Sequence, residues 1–151
     1  MSDAQALTGS IASSHVIKWL RAWYSEGMPD AIDLEIVRQM LPSTPYGAGV
    51  REIKPPVEII GDAFEGMLAR DPDDHAVWGI AYNGKARGER QRFTIAHELG
   101  HFILHRSQKQ SFNCDSQSVH TGIDGLRQIE READEFAGNL LMPGDLLREW
   151  I

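Results

Sequence analysis

A single cysteine, Cys114, among 151 residues leaves this chain unable to form an internal disulfide. A disulfide-stapled secreted scaffold is therefore excluded, and a lone loop thiol in a polar stretch fits a reducing compartment. Long apolar runs are also missing. Residues 1–14 are polar and small, without the apolar core of a signal peptide, and no later segment approaches a membrane span, so a cytoplasmic protein is expected. Basic charge is short as well: 15 Lys and Arg against 22 Asp and Glu give a net charge of −7. A surface of that sign does not neutralise phosphates, so neither nucleic acid nor an anionic membrane is an expected direct partner. Lys85, Arg87, Arg90 and Arg92 form one local basic run, but no aromatics interleave them, and they read as a solvated turn and strand end.

What the chain does have is His97-Glu98-Leu99-Gly100-His101. Two imidazoles four residues apart share one face of a helix and can reach a single Zn²⁺. The intervening Glu98 can then act as general base toward water activated by the ion. The flanks support a buried helix: Ile95, Leu99, Phe102 and Ile103 recur at helical spacing, and Thr94 is an acceptable N-cap. Glycine costs a helix interior about 1 kcal/mol relative to alanine, so Gly100 implies a neighbour passing too close for a Cβ.

Around this segment the pattern is mixed. A first helix is expected after a Ser13 or Ser14 cap, with Val16, Leu20, Trp23 and Tyr24 inward, ending near Gly27-Met28-Pro29. Asp30 opens a second helix carrying Ile32, Ile36, Val37 and Met40, stopped by Pro42. A turn-rich connector follows to Pro55-Pro56. Val57–Ile60, Ala63–Ala69 and Ala76–Tyr82 are strand candidates. Asn83-Gly84 supplies a tight turn, after which Gln91-Arg92-Phe93 can pair back before the site helix. The polar stretch 106–124 is too long for an idle connection and reads as a flap or substrate-contacting loop. A last long helix runs from Gly125 to Leu141, with Leu126, Ile129, Ala133, Phe136, Ala137, Leu140 and Leu141 inward, and Pro143 stops it. Another amphipathic pattern, Leu146 to Ile151, closes the sequence, and the natural polypeptide is expected to continue.

A hydrolytic zinc site needs a third protein donor. A His six residues past His101 is ruled out because Ser107 stands there, and an upstream cysteine is ruled out because Cys114 lies downstream. His105 is a poor third donor from the same helix and reads better as a supporting or packing residue. An acid on the last helix remains. Glu130, Ala133, Asp134 and Ala137 share one face, which favours Glu130 as ligand and places Asp134 to accept the far N–H of a ligating histidine. Glu132 is the competitor for the ligand role.

The run Arg92-Phe93-Thr94-Ile95-Ala96-His97-Glu98-Leu99-Gly100-His101 with Leu104-His105, followed by Glu130-x-x-Ala133-Asp134-x-Phe136-Ala137-x-x-Leu140-Leu141-Met142-Pro143, resembles the ImmA/IrrE family of zinc peptidases over roughly residues 77–143. The resemblance implies Glu130 as third ligand, since the family's ligand lies three residues before the alanine of the second block. It implies an α+β fold: a compact zincin-like domain with a small twisted β-sheet beside the HExxH helix, a second ligand-bearing helix, and N-terminal helices. It also implies a bacterial or phage origin and a protein substrate, often a helix-turn-helix regulator encoded nearby. Asp134 departs modestly from the family's usual Asn, and residues before about 70 match nothing recognisable. Residues 1–45 are expected as an N-terminal helical segment packed on a core of 46–151, the two forming one globular unit.

The expected chemistry is zinc-dependent peptide hydrolysis, with His97, His101 and Glu130 holding Zn²⁺ and Glu98 moving the proton. The substrate is expected to add as a strand along residues 76–82, with Tyr82 or His120 as candidate oxyanion donors. A toxin half of a toxin–antitoxin pair, or a non-proteolytic module with structural zinc, are the alternatives. Glu98 speaks against the last of these, because a structural site has no use for a base.

Overall fold

The computed structural model describes residues 7–61, 64–108, 111–115 and 124–142, with only the backbone described at 113–115 and 124–126. Its architecture is α+β. Among the described residues four α-helices, α1 (Gly9–Trp23), α2 (Leu34–Met40), α3 (Glu89–His105) and α4 (Asp124–Leu141), accompany five strands, β1 (Glu52–Ile53), β2 (Val57–Ile59), β3 (Phe64–Arg70), β4 (Val77–Asn83) and β5 (Ser111–Asp115).

β4 carries the densest run of apolar side chains and lies at the centre of the sheet. It pairs antiparallel with β3 on one side, and on the other it pairs parallel with β1 and β2 in succession. Pro55 and Pro56 separate those two short strands, because proline offers no N–H to continue a ladder. β5 pairs antiparallel with the far side of β3, giving the order β1-β4-β3-β5 with β2 beside β1 on β4. The expectation of a substrate edge along residues 76–82 is thereby corrected: both edges of β4 are consumed by the sheet. β5 itself lies in the stretch read as a continuous loop. Its Cys114 is thus in a strand, while residues 116–123 of the supposed flap, with His120, are outside the described residues.

One sheet face packs on α3. Leu68, Trp78, Ile80 and Phe112 meet Ala96, Leu99, Phe102 and Ile103, all buried, and Trp78 meets Phe102 edge-on with centroids 6.0 Å apart. α4 lies between α3 and α1, presenting buried Ala133, Phe136, Ala137 and Leu140. The crowding expected at Gly100 is present: a Cβ there would stand 3.0 Å from Phe136 Cδ1 and 3.2 Å from the Ala133 carbonyl oxygen. Arg106, just past α3, lies over the Phe102 ring at 4.6 Å. It donates to the carbonyls of Tyr46 and Ala48, at 2.7 Å for the latter, tying the turn-rich connector to the core.

Several local boundaries differ from expectation. Thr8 caps α1, its hydroxyl accepting from Ile11 N at 3.1 Å; Ser13 and Ser14 lie inside the helix and bond back to the Ser10 carbonyl. Trp23, expected inward, is 61% exposed. Asp33 rather than Asp30 caps α2, accepting from Glu35 N at 2.9 Å. Asn83-Gly84 does turn the chain, with Ala86 N bonded to the Asn83 carbonyl at 3.0 Å, but no return strand follows. Gln91-Arg92-Phe93 belong to α3, which begins after Gly88 at φ +57°, so Thr94 is an interior helix residue and not a cap. The basic run accordingly spans the turn and the first helical turns. The early turns of α3 carry polar, partly exposed side chains with no apolar period, which is why the pattern concealed them. Ala63, Pro143 and the stretch from Leu146 to Ile151 lie outside the described residues. No helix among those described is long and apolar enough to cross a membrane.

Candidate metal centre

α3 carries both motif histidines inward. His97 is 7% exposed and His101 fully buried, their rings perpendicular with centroids 4.6 Å apart, as the four-residue spacing requires. α4 crosses over them and delivers Glu130. Its Oε2 lies 2.9 Å from His97 Nε2 and its Oε1 3.2 Å from His101 Nε2. One donor atom from each of the three residues falls within 4.8 Å of the others, a grouping that can hold a metal ion. Ligands about 2.05 Å from a tetrahedral centre stand roughly 3.3 Å apart, so these spacings suit zinc with little rearrangement. Donor chemistry fits too. Both histidines turn Nε2 inward, and the outer nitrogen of each has its own partner.

The acids of α4 sort themselves by position. Asp134, one turn past Glu130, accepts from His97 Nδ1–H at 2.7 Å. Glu132, the competitor for the ligand role, points elsewhere and accepts from His105 Nε2–H at 2.9 Å. His105 is 2% exposed, outside the cluster of converging donors, with its Nδ1 3.0 Å from His101 Nδ1. Tyr82, a candidate oxyanion donor, lines a cleft with Asp33, Gln91 and Arg92 rather than the histidine cluster.

Glu98 is 0% exposed and projects from α3 toward the sheet. The strand it faces offers no side chain: at Gly66 of β3 a Cβ would lie 2.6 Å from Thr94 Cγ2 and 2.8 Å from Glu98 Oε2. Gly66 was missed by the sequence reading, although an isolated glycine inside a strand pattern is the available signal of a close approach. Phe112 of β5 was missed for want of a strand pattern. Its ring stacks on His101 with centroids 4.9 Å apart and planes 12° apart.

Electrostatics couple these groups. Burial pulls His97 down, but hydrogen bonds to Asp134 and Glu130 and the charges of Glu98 and Glu130 outweigh it and raise it to about 10. For His101 burial prevails and holds it below its ordinary value, despite Glu130. Burial would raise Glu130, yet its bonds to His101 and His97 prevail and hold its carboxyl well below the usual range. Metal-free, the site is a His97–Glu130 ion pair with a neutral His101 beside it. A divalent cation would take the place of the proton.

This geometry sits within a known family. Residues 57–150 match the IrrE N-terminal-like domain, a peptidase family, and the chain belongs to it. It is similar to the radiation response metalloprotease IrrE of Deinococcus deserti, with 37% identity over 84 residues covering 55% of this chain and 28% of that protein. It is also similar to the protein of the same name from Deinococcus radiodurans, 35% identical over 86 residues covering 55% of this chain and 24% of the relative. The chain thus spans about a quarter of the length of these curated relatives. α1, α2 and β1 lie ahead of the family match, yet α1 packs on the helix that carries Glu130.

Proposed function

We propose that this chain is a zinc-dependent endopeptidase of narrow specificity, acting on a bacterial or phage regulatory protein such as a helix-turn-helix repressor encoded nearby. The observation that carries the reading is the convergence of His97, His101 and Glu130 next to a fully buried Glu98 on the same helix. Two imidazoles and one carboxylate are the donor set of hydrolytic zinc sites that keep an open position. Family membership and the metalloprotease names of the relatives support the same class.

His97, His101 and Glu130 would hold the ion, with Asp134 fixing the His97 ring so that Nε2 keeps its lone pair. Zinc, when bound, would polarise the scissile carbonyl and acidify water in the open position. Glu98 would take the proton of the attacking water and return it to the leaving amine. Burial against β3 keeps this carboxylate away from bulk solvent and confined to few positions, which favours an oriented base. An extended substrate segment would lie along β5, which among the described residues pairs only with β3 and whose Phe112 touches the His101 ring.

Incubation of the purified chain and zinc with the repressor encoded beside its gene tests the reading. One defined cut is expected, lost on Glu98→Gln while bound zinc is retained. An intact repressor, or cleavage undiminished by Glu98→Gln, would count against it.

A further inference from the structure

His101 Nδ1 lies 3.0 Å from His105 Nδ1, and His105 Nε2 lies 2.9 Å from Glu132 Oε1. A hydrogen bond between two imidazole nitrogens requires an N–H on one and a lone pair on the other. His101 turns Nε2 toward Glu130 at 3.2 Å, the side on which a metal would be gripped. To offer that nitrogen as a donor, His101 must carry its proton on Nδ1, and that N–H must then donate to His105 Nδ1. The proton of His105 is in turn confined to Nε2, where the Glu132 carboxylate accepts it. With Nε2 committed to a metal and His105 neutral, one assignment satisfies the two remaining contacts.

We propose that His105 and Glu132 are positioning residues of the metal centre: a relay from Glu132 through His105 that fixes the tautomer and ring orientation of His101. The inference rests on reading the site as a zinc centre. It gives each of the three acids that contact the histidines of α3 a role. Glu130 faces the histidine pair, Asp134 braces His97 directly, and Glu132 braces His101 at one remove because His105 fills the space between. The surroundings hold the relay in place. His105 is 2% exposed, and Phe112 stacks on His101 while also contacting His105, with centroids 6.2 Å apart. The Glu132 side chain is 32% exposed, so its charge keeps contact with water while its oxygen reaches inward.

The test is zinc affinity of the purified chain, measured by competition with a chromophoric chelator, together with the visible absorption of the cobalt-substituted form. Loss of an outer partner of a zinc-bound histidine weakens metal binding by about 10- to 100-fold. His105→Leu should fall in that range, and Glu132→Ala near its lower end, each shifting the cobalt spectrum. His105→Gln, whose amide oxygen can accept from His101 and whose NH₂ can reach Glu132, should recover most of the affinity. On the His105→Leu background, Glu132→Ala should add nothing, since its only route to His101 is gone. Wild-type affinity and spectrum in Glu132→Ala, or an equal further loss on the His105→Leu background, would overturn the relay while leaving the zinc site standing. Failure of the wild-type chain to bind zinc would overturn both. If His105→Leu does not fold, Glu132→Ala, at a partly exposed position, and the conservative His105→Gln decide the matter.

Discussion

Gly66 of β3 faces Glu98 of α3 so closely that a methyl group on its Cα would come within 2.8 Å of the carboxylate Oε2. The atoms it would crowd are ends of side chains, Glu98 Oε2 and Thr94 Cγ2, while the Ala81 carbonyl oxygen at 3.4 Å is an ordinary contact, so the fold can yield by moving the two side chains. Gly66→Ala should therefore leave thermal stability and zinc content nearly unchanged while displacing Glu98, the proposed general base. Misplacing a reacting group by about 1 Å can cost 100-fold, and a 10- to 100-fold fall in the rate of substrate cleavage is expected. Undiminished cleavage by a folded, zinc-loaded Gly66→Ala would show that the Glu98 position is not set by this strand.

Two helix glycines should respond in a definite order. A Cβ on Gly9 would stand 2.6 Å from both the Glu132 carbonyl oxygen and Phe136 N, backbone atoms of α4 that cannot step aside alone. At Gly100 the nearest atoms are at 3.0 and 3.2 Å, and alanine also gains about 1 kcal/mol in helix propensity. Gly9→Ala should destabilise by about 2–3 kcal/mol, in the upper range of overpacking, and Gly100→Ala by about 1 kcal/mol or less. Denaturant titration of both variants would reveal the order, and its reversal would contradict the α1–α4 contact.

Stability of the metal-free chain should depend on pH through His97. Its folded value is raised to about 10 against an ordinary 6.5, so its contribution is fully present below about 6.5 and is lost as pH rises through about 10. Glu130, held below its ordinary 4.5 by the same contact, contributes above that value and loses its contribution as pH falls. Metal-free protein should thus be most stable between roughly pH 4.5 and 6.5 and weaken toward pH 10. Saturating zinc, bound as proposed, would replace the His97 proton and should remove the alkaline decline. Zinc binding at pH 8 should release that proton, visible as a calorimetric heat that varies with buffer ionisation enthalpy. A heat independent of buffer would argue against a protonated His97.

Glu130 and Asp134, the two acids of α4 that contact His97, should separate by metal affinity. Glu130→Ala removes a converging donor and should abolish stoichiometric zinc binding at micromolar concentration. Asp134→Ala removes only the 2.7 Å bond to His97 Nδ1 and should weaken binding by about 10- to 100-fold. Metal analysis after dialysis against a weak chelator measures both. Stoichiometric zinc retained by Glu130→Ala would reassign the third donor.

Local pattern carried a good part of the molecule. The spacing of His97 and His101 needs only helical periodicity, the apolar stripe of α4 is strong, and β4 stands out as an uninterrupted apolar run, since each of these signals is periodic along the chain itself. Glu130, Glu132 and Asp134 were legible as a group, but an acidic run does not reveal which oxygen meets which nitrogen. That depends on the crossing of α3 and α4, which Gly100 permits and Phe136 fixes. β5 was concealed because a short, polar edge strand has no period of its own and is defined by its ladder to β3. The central place of β4, the glycine opposite Glu98 and the path from Glu132 through His105 to His101 are likewise relations between segments remote in sequence. The sequence by itself determined the chemistry available, two imidazoles, a base and a choice of acids on amphipathic helices. Only tertiary packing decided which acid faces the pair and which ones brace it, because hydrogen-bond partners are chosen by distance in space and not by distance along the chain.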